Sequence, residues 1–296
     1  MSRSLLFIAL LPATLVGQNF DTVTVKAQPL RGGVYMLTGS GGNMGLAVGG
    51  DATFLVDDQF APLTPKIQAA IASVTSQPVR FIINTHLHGD HTGGNENFAK
   101  AGALLVAHDN VRKRMSVEQF SELFNRRTPA SPKAALPIVT FTDSLTFHIN
   151  DDDLVALHVP PAHTDGDVVV HFTKADVIHM GDTFMTAGSY PLVDLSSGGN
   201  VNGFVSAADA ALAVCTPNTM IIPGHGPLSD CAGLREWRNM IASVRERVQA
   251  EMKRGRTLDQ IKAANLTQPY DTKWNNGFIK APVFVEMVYR SLGGKP

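Results

Sequence analysis

Cysteine is scarce in this chain of 296 residues, where Cys215 and Cys231 are the two present. They do not form a Cys-x-x-Cys motif, so the sequence predicts no structural zinc site built from thiolates. In an exported protein the pair can form a disulfide, and the alternative is two buried free thiols. The sequence leaves both interpretations open, because the distance between the two residues cannot be read from it.

An excess of charge of either sign is also missing. The chain has 25 basic and 26 acidic side chains, which gives a formal net charge of −1. A protein that binds nucleic acid or an anionic membrane surface usually carries a basic face or stripe. We therefore expect no nucleic-acid partner, and the export signal described next favours a small-molecule substrate. The sequence does not indicate the oligomeric state.

Long apolar runs are absent except at the N-terminus. Residues 1–17 combine one arginine, an apolar run of about a dozen residues and a small residue at the end, which is typical of a secretory signal peptide. The alternative is a buried N-terminal strand or helix. The run is too short to span a bilayer. We expect a periplasmic or secreted protein with no membrane insertion after signal removal, and a single domain over residues 18–296.

Residues 81–95 contain the most informative motif of the sequence. A short apolar run, typical of a buried strand, leads into His86, His88, Asp90 and His91 and then into Gly-Gly-Asn. Residues 86 and 88 alternate with Leu87, so on an extended backbone both imidazoles point the same way. Imidazole and carboxylate groups are ligands for zinc and for non-haem iron. The motif therefore predicts a metal site.

The pattern His-x-His-x-Asp-His resembles the signature of the metallo-β-lactamase superfamily. Three further residues match its later ligand positions, each in a loop that follows an apolar run: His163, Asp182 and His225. The resemblance implies an α/β fold of the αββα sandwich type, with two mixed sheets flanked by helices. It also implies two metal ions, one held by His86, His88 and His163 and the other by Asp90, His91 and His225. Asp182 would bridge both ions.

The resemblance further implies a dinuclear zinc hydrolase that uses a metal-bound hydroxide, with Asp90 as the catalytic residue that orients it or transfers its proton. Many zinc β-lactamases carry cysteine or serine where this chain has Asp182, and a bridging aspartate is more similar to the glyoxalase II and lactonase branches. We expect hydrolysis of a small-molecule amide, lactam, lactone or ester, and β-lactamase-type activity remains open. The alternatives are a mononuclear iron enzyme of the persulfide dioxygenase type and a non-catalytic metal-binding protein.

Other segments carry weaker predictions. Apolar spacing predicts a helix over residues 62–74, and residues 109–127 are expected to be helical. Residues 128–137 are expected to be a proline-broken loop, so that residues 112–137 form either a lid or a charged surface helix. Residues 39–43 are expected to be a hairpin tip that either overhangs a pocket or faces solvent. Asp151 to Asp153 are expected to form a polar hairpin turn.

Some polar residues outside the ligand set are also assigned. Thr85 and Asp167 are candidates for groups that orient the ligand imidazoles. A structural role is expected for the five histidines that lie in predicted strands: His108, His148, His158, His171 and His179.

Overall fold

The computed structural model describes residues 19–295, so the predicted signal peptide at residues 1–17 lies outside the described residues. The strands are β1 Lys26–Pro29, β2 Val34–Thr38, β3 Met44–Ala47, β4 Thr53–Val56, β5 Val79–Ile83, β6 Leu104–His108, β7 Gln119–Ser121, β8 Arg126–Thr128, β9 Val139–Phe141, β10 Ser144–Ile149, β11 Asp152–His158, β12 Val168–Phe172, β13 Val177–His179, β14 Met220–Ile222 and β15 Ser229–Asp230.

The α-helices are α1 Thr64–Ala72, α2 Gly89–Thr92, α3 Asn95–Lys100, α4 Asp109–Met115, α5 Val201–Ala213, α6 Cys231–Lys253, α7 Leu258–Ala263, α8 Asp271–Trp274 and α9 Ala281–Ser291. Short 3₁₀ helices occur at Ala61–Leu63, Lys133–Ala135, Gly181–Thr183, Leu195–Ser197 and Gln268–Tyr270. Within the described part of the chain, no helix is both long and apolar enough to cross a bilayer.

Two mixed sheets form the centre of the fold. The first has the strand order β1-β2-β3-β4-β5-β6-β9, antiparallel up to β4 and parallel from β4 onward. The second runs from β10 to β15 in sequence order and is antiparallel except for the parallel pair of β13 and β14. Parallel neighbours need crossover connections, and helices α1, α3, α4 and α5 lie in those connections.

Successive side chains of a strand point to opposite faces of its sheet, so each sheet packs against two different layers. In β4, Phe54 and Val56 pack into the core between the two sheets, whereas Leu55 packs into an outer core with Ile67 of α1. The opposite outer core lies between the second sheet and helices α5, α6 and α9, and it contains Trp237. The order helix, sheet, sheet, helix confirms the αββα sandwich that the sequence predicted.

The predicted helix over residues 109–127 is wrong beyond Met115. Helix α4 ends there, and β7 and β8 form an antiparallel hairpin. The side chain of Gln119 donates a hydrogen bond to the carbonyl of Arg114 at 2.9 Å, which satisfies a carbonyl of the last helical turn. Asn125 takes the left-handed conformation, with φ of 45°, in the turn of the hairpin. These local polar contacts outweigh the helical pattern of the arginines.

Two smaller predictions have clear outcomes. The polar hairpin turn expected at Asp151 to Asp153 lies instead at Asn150 and Asp151, which both have positive φ. Asp152 and Asp153 belong to β11 and pair with Ile149 and His148 of β10. Cys215 and Cys231 form a disulfide across 16 positions of sequence. It ties the end of α5 to the start of α6 and encloses the segment that contains β14 and His225.

Candidate metal centre

The seven predicted ligands lie together where four strands end. His86 and His88 follow β5, and Asp90 and His91 lie in the short helix α2. His163 follows β11, Asp182 lies in the 3₁₀ helix after β13, and His225 follows β14. Functional groups at strand ends are common in α/β folds, because loops there are free to diverge from the sheet.

The ligand atoms form two neighbouring groups of three side chains. In the first group, defined by His86, His88 and His163, the nearest ring nitrogens lie within 4.8 Å of one another. The same limit holds for the second group, defined by Asp90, His91 and His225. These groups coincide with the two ligand sets that the sequence resemblance implied.

Asp182 lies between the two groups. Its Oδ2 atom is 3.6 Å from Nε2 of His163 and 3.4 Å from Nε2 of His225. Its Oδ1 atom is 3.2 Å from Nε2 of His91. A single carboxylate thus contacts imidazoles of both groups, which is the position expected for a bridging ligand.

The outer nitrogen of each of four imidazoles is held by a neighbour. Oδ2 of Asp194 lies 2.9 Å from Nε2 of His88, and Oδ2 of Asp57 lies 2.8 Å from Nδ1 of His91. Nδ1 of His163 donates to the carbonyl of Leu192 at 2.7 Å. Nδ1 of His86 lies 3.0 Å from the Thr85 hydroxyl. Such contacts fix the ring orientation and turn the opposite nitrogen toward the centre, where a metal would bind.

Two buried polar atoms at the centre lack a hydrogen-bond partner within the described residues. They are Nε2 of His86 and Oδ1 of Asp182, which lies 3.2 Å from Nε2 of His91 without the geometry of a hydrogen bond. Buried polar atoms are almost always satisfied in folded proteins, so unpaired atoms here need an explanation. A bound cation explains both, because a neutral imidazole nitrogen and a carboxylate oxygen are metal ligands. The donor set therefore fits a metal centre.

The two groups differ in their charge. In the first group, burial and the neighbouring His88 lower the pKa of His163 to about 4. In the second, the charge of Asp182 raises the pKa of His225 to about 10. Burial by itself would lower the pKa of His91, but Asp182 and Asp90 raise it well above its ordinary value. Without metal, the second group therefore holds protons that an ion must displace.

Glycines allow the backbone to approach the ligands closely. A Cβ atom at Gly42 would lie 2.1 Å from Cε1 of His91, and one at Gly224 would lie 2.0 Å from Oδ1 of Asp182. The tip formed by residues 39–43 therefore lies against the centre rather than facing solvent alone. Asn43 fixes this tip, because its side chain donates hydrogen bonds to the carbonyls of Pro223 and Gly226 beside His225.

The two candidates for orienting groups have different outcomes. Thr85 contacts His86, and its hydroxyl also donates to Asp57 at 2.7 Å. Asp167 instead accepts hydrogen bonds from the backbone and hydroxyl of Thr164, at 2.9 and 2.6 Å, so it braces the loop after His163. Burial raises the pKa of Asp167 to about 7.

The histidines outside the ligand set belong to neither group. His148 is exposed and pairs with Asp153, and His179 is buried with its Nε2 donating to the carbonyl of Asn43. The rings of His108 and His158 stack with centroids 3.6 Å apart. These contacts agree with the structural roles that the sequence predicted.

The sequence interpretation missed Asp57 and Asp194. Asp57 follows β4, and its position after an apolar strand was the same signal that identified the ligands. Asp194 lies in an irregular segment between Asp182 and α5, and nothing local in the sequence separates it from other loop aspartates. Only the tertiary fold brings it to His88.

The comparisons with known proteins agree with this geometry. The chain matches the Metallo-beta-lactamase superfamily over residues 37–249. It is 28% identical to the 2,4-dinitroanisole O-demethylase subunit alpha of Nocardioides sp. (strain JS1661), over 57% of this chain and 49% of that protein. It is 26% identical to a hydroxyacylglutathione hydrolase of Polaromonas sp. (strain JS666), over 55% of each protein.

The chain thus spans about half the length of these curated relatives. Among solved structures, a metallo-beta-lactamase from Pontibacter korlensis superposes with a TM-score of 0.61 and 18% identity, over 74% of this chain and 99% of that one. That likeness shows the fold. The superfamily match confirms the family that the ligand motif of the sequence indicated. The chain belongs to the metallo-beta-lactamase superfamily.

Proposed function

We propose that this protein is a dinuclear zinc hydrolase that cleaves an amide, lactam, lactone or ester bond of a small molecule. One observation carries the proposal: Asp182 contacts imidazoles of both ligand groups, at 3.6 Å to His163 and 3.2 Å to His91. Six other ligands are divided three and three around it. A single ion needs about four ligands, so this set supports two ions.

The ligand types favour zinc. Five of the seven side chains are imidazoles and two are carboxylates, and zinc accepts both. A three-histidine group is typical of catalytic zinc, in which the protein leaves one coordination position open. Bound zinc would supply a nucleophile at neutral pH by lowering the pKa of coordinated water, and it would polarise the bond to be cleaved.

The exposed side chains indicate where a substrate enters. Asp90, His88 and His225 have side chains that are 24% to 29% exposed, whereas His86, His91 and His163 are almost fully buried. A substrate therefore reaches the centre from the side on which these three partly exposed side chains lie. Burial would raise the pKa of Asp90, but the charge of His91 and the contact with His225 lower it to about 2. An ionised Asp90 can accept a proton from the attacking water and deliver it to the leaving group.

We further propose that the protein works outside the cytoplasm. The disulfide between Cys215 and Cys231 is of a kind that persists in oxidising compartments. The composition of residues 1–17 is typical of an export signal. We propose no single substrate, because one curated relative is named as a hydroxyacylglutathione hydrolase and another as an O-demethylase subunit.

The proposal is tested with the zinc-loaded protein and a panel of chromogenic substrates: a β-lactam, a lactone, a thioester and simple aryl esters. We expect turnover of at least one class, loss of turnover with a chelator and recovery when zinc is added. Oxygen consumption with a persulfide by an iron-loaded sample would favour the dioxygenase alternative. No turnover by protein that retains its metal would favour the non-catalytic alternative.

A further inference from the structure

Exposed apolar side chains concentrate in one short segment. Residues 117–128, which we name the aromatic hairpin, contain β7 and β8. Four of its large apolar side chains are 43% to 55% exposed: Val117, Phe120, Leu123 and Phe124. Phe278, which is 69% exposed, stacks on Phe124 with ring centroids 5.8 Å apart. Soluble proteins seldom expose several large apolar groups together unless the surface binds something.

A cavity of about 360 Å³ lies beside this hairpin. Its apolar lining comes from three parts of the fold: the hairpin tip with Leu123 and Phe124, the side chains of Leu192, Val193 and Leu195, and helix α9 with Val283 and Met287. The charged side chains of Asp194 and Glu286 also line it. One end is charged, because Glu122 of the hairpin pairs with Arg290 of α9 at 2.6 Å. A volume in this range suits a small ligand rather than a protein segment.

The wall at residues 192–196 is shared with the metal centre. From this segment, Leu192 accepts a hydrogen bond from His163, and Asp194 contacts His88 at 2.9 Å. Asp194 also lines the cavity. One imidazole ring, that of His88, therefore separates the cavity wall from the predicted metal position. The hairpin is attached to the same segment, since the backbone amide of Glu122 donates to the hydroxyl of Ser196 at 3.0 Å.

We propose that this cavity binds the apolar acyl or alkyl portion of the substrate, while the bond to be cleaved lies at the metal centre. The proposal rests on the proposed hydrolase function and adds a substrate class to it: esters, lactones or amides with a hydrocarbon chain or ring. The aromatic hairpin supplies the outer wall and determines specificity. Asp194 lines the cavity and contacts the predicted ligand His88. This closeness of the cavity to the metal centre favours a substrate, rather than a second copy of the chain, as the occupant.

The test separates ligand binding from turnover. Binding of straight-chain 1-alkanols of four to ten carbons is measured calorimetrically, and kcat/KM is measured for p-nitrophenyl esters of increasing acyl length. Each methylene buried in the cavity should strengthen alkanol binding about fourfold, which corresponds to about 0.8 kcal/mol. Leu123→Ser should flatten this dependence. Leu104→Ser is the matched control, because Leu104 is exposed to a similar extent and lies on β6, outside the aromatic hairpin.

Four outcomes are informative. Chain-length dependence in both measurements that Leu123→Ser flattens and Leu104→Ser preserves supports the cavity assignment. Ester turnover without chain-length dependence overturns the assignment and leaves the hydrolase proposal standing. Alkanol binding with chain-length dependence but no turnover of these esters or of any class in the chromogenic panel overturns the hydrolase proposal and leaves an apolar ligand site. A dimer that Phe124→Ser dissociates, with alkanol binding independent of chain length, shows that a second copy covers the hairpin and overturns the assignment.

Discussion

The carboxylate of Asp194 lies 2.9 Å from Nε2 of His88, although 106 positions of sequence separate the two residues. Its other oxygen accepts hydrogen bonds from the backbone amides of Ser196 and Ser197. Asp194 thus joins a loop of the second half of the chain to a predicted ligand of the first half. Because Nε2 is occupied by this contact, His88 presents Nδ1 to the centre, where it lies 2.8 Å from Nε2 of His163.

Replacing Asp194 by Asn should weaken metal binding without unfolding the protein. Asn can still accept the backbone hydrogen bonds, but it lacks the charge that stabilises the orientation of His88. Loss of such an outer contact typically costs 10- to 100-fold in metal affinity or activity, and we expect zinc affinity to fall by about that factor. Competition with a chelating dye measures it. Asp209→Asn, on an exposed ion pair with Arg238, is the control and should change nothing. Unchanged zinc affinity in Asp194→Asn would contradict the role of this contact.

Replacing Gly224 by Ala should displace the bridging carboxylate. The added Cβ would lie 2.0 Å from Oδ1 of Asp182 and 2.7 Å from the backbone of Gly181, so one of these groups must move. Zinc content should therefore drop below the wild-type value while far-UV circular dichroism stays native. Gly50→Ala provides the matched control, since no atom lies within 4 Å of the position that its methyl group would take. A Gly224→Ala protein with full zinc content would show that Asp182 tolerates displacement.

The pKa shifts predict how metal loading responds to pH. His225, with a pKa of about 10, and His91, with a raised pKa, hold protons at neutral pH in the metal-free protein. The pKa of His163 is about 4, and burial lowers that of His86, so these two are already neutral. In the first group only His88 has a raised pKa, because the contact with Asp194 outweighs its burial. Because zinc binds neutral imidazole, the ion of the second group should bind more tightly as pH rises, by about tenfold per unit for each proton displaced.

Calorimetry in buffers of different ionisation enthalpy measures the protons released. We expect two binding steps between pH 6 and pH 8, of which the step at the second group releases more protons. Equal proton release in both steps would contradict the asymmetry between the groups. Zinc binding that weakens as pH rises over this range would contradict the sign of the shifts.

The sequence identified the predicted metal ligands but not the carboxylates of Asp57 and Asp194 that hold two of them in place. His86 and His88 lie at alternate positions of one segment, so the local pattern identifies them as a pair. His163, Asp182 and His225 were found because each follows an apolar strand, and the resemblance to a known family supplied their grouping. Asp57 and Asp194 act on ligands through contacts across the fold. Asp57 directly follows an apolar strand, as the ligands do, whereas no local pattern identifies Asp194.

The aromatic hairpin shows the same limit. The arginines of residues 112–127 favour a helix by propensity, and the helix stops where the Gln119 side chain binds the carbonyl of Arg114. The β-hairpin then docks on Ser196 and Arg290, which are distant in sequence. Tertiary contacts thus override local propensity here. The disulfide is a similar case, because the pairing of Cys215 with Cys231 depends on how α5 and α6 pack.

Replacing Asp90 by Asn should separate chemistry from metal binding. The substitution keeps the size of the side chain and removes most of its basicity, so turnover should fall by roughly 10²- to 10⁴-fold, the range of a lost general acid or base. The rate is measured per metal-loaded protein, because the second ion also loses a charged ligand. The first ion should remain, since His86, His88 and His163 are unchanged. His148→Ala, at an exposed position outside the ligand set, should keep nearly full turnover. Wild-type turnover in Asp90→Asn would exclude the proposed role.

The central claim is that two ions are bound around Asp182, and the metal content per chain tests it most directly. Elemental analysis of protein purified without added chelator, with concentration taken from amino-acid analysis, gives the ratio. The contacts of Asp182 with His163 and His91 predict a value close to two, with zinc as the main metal. A value of one iron per chain with negligible zinc would contradict the dinuclear zinc centre and favour the mononuclear oxygenase alternative.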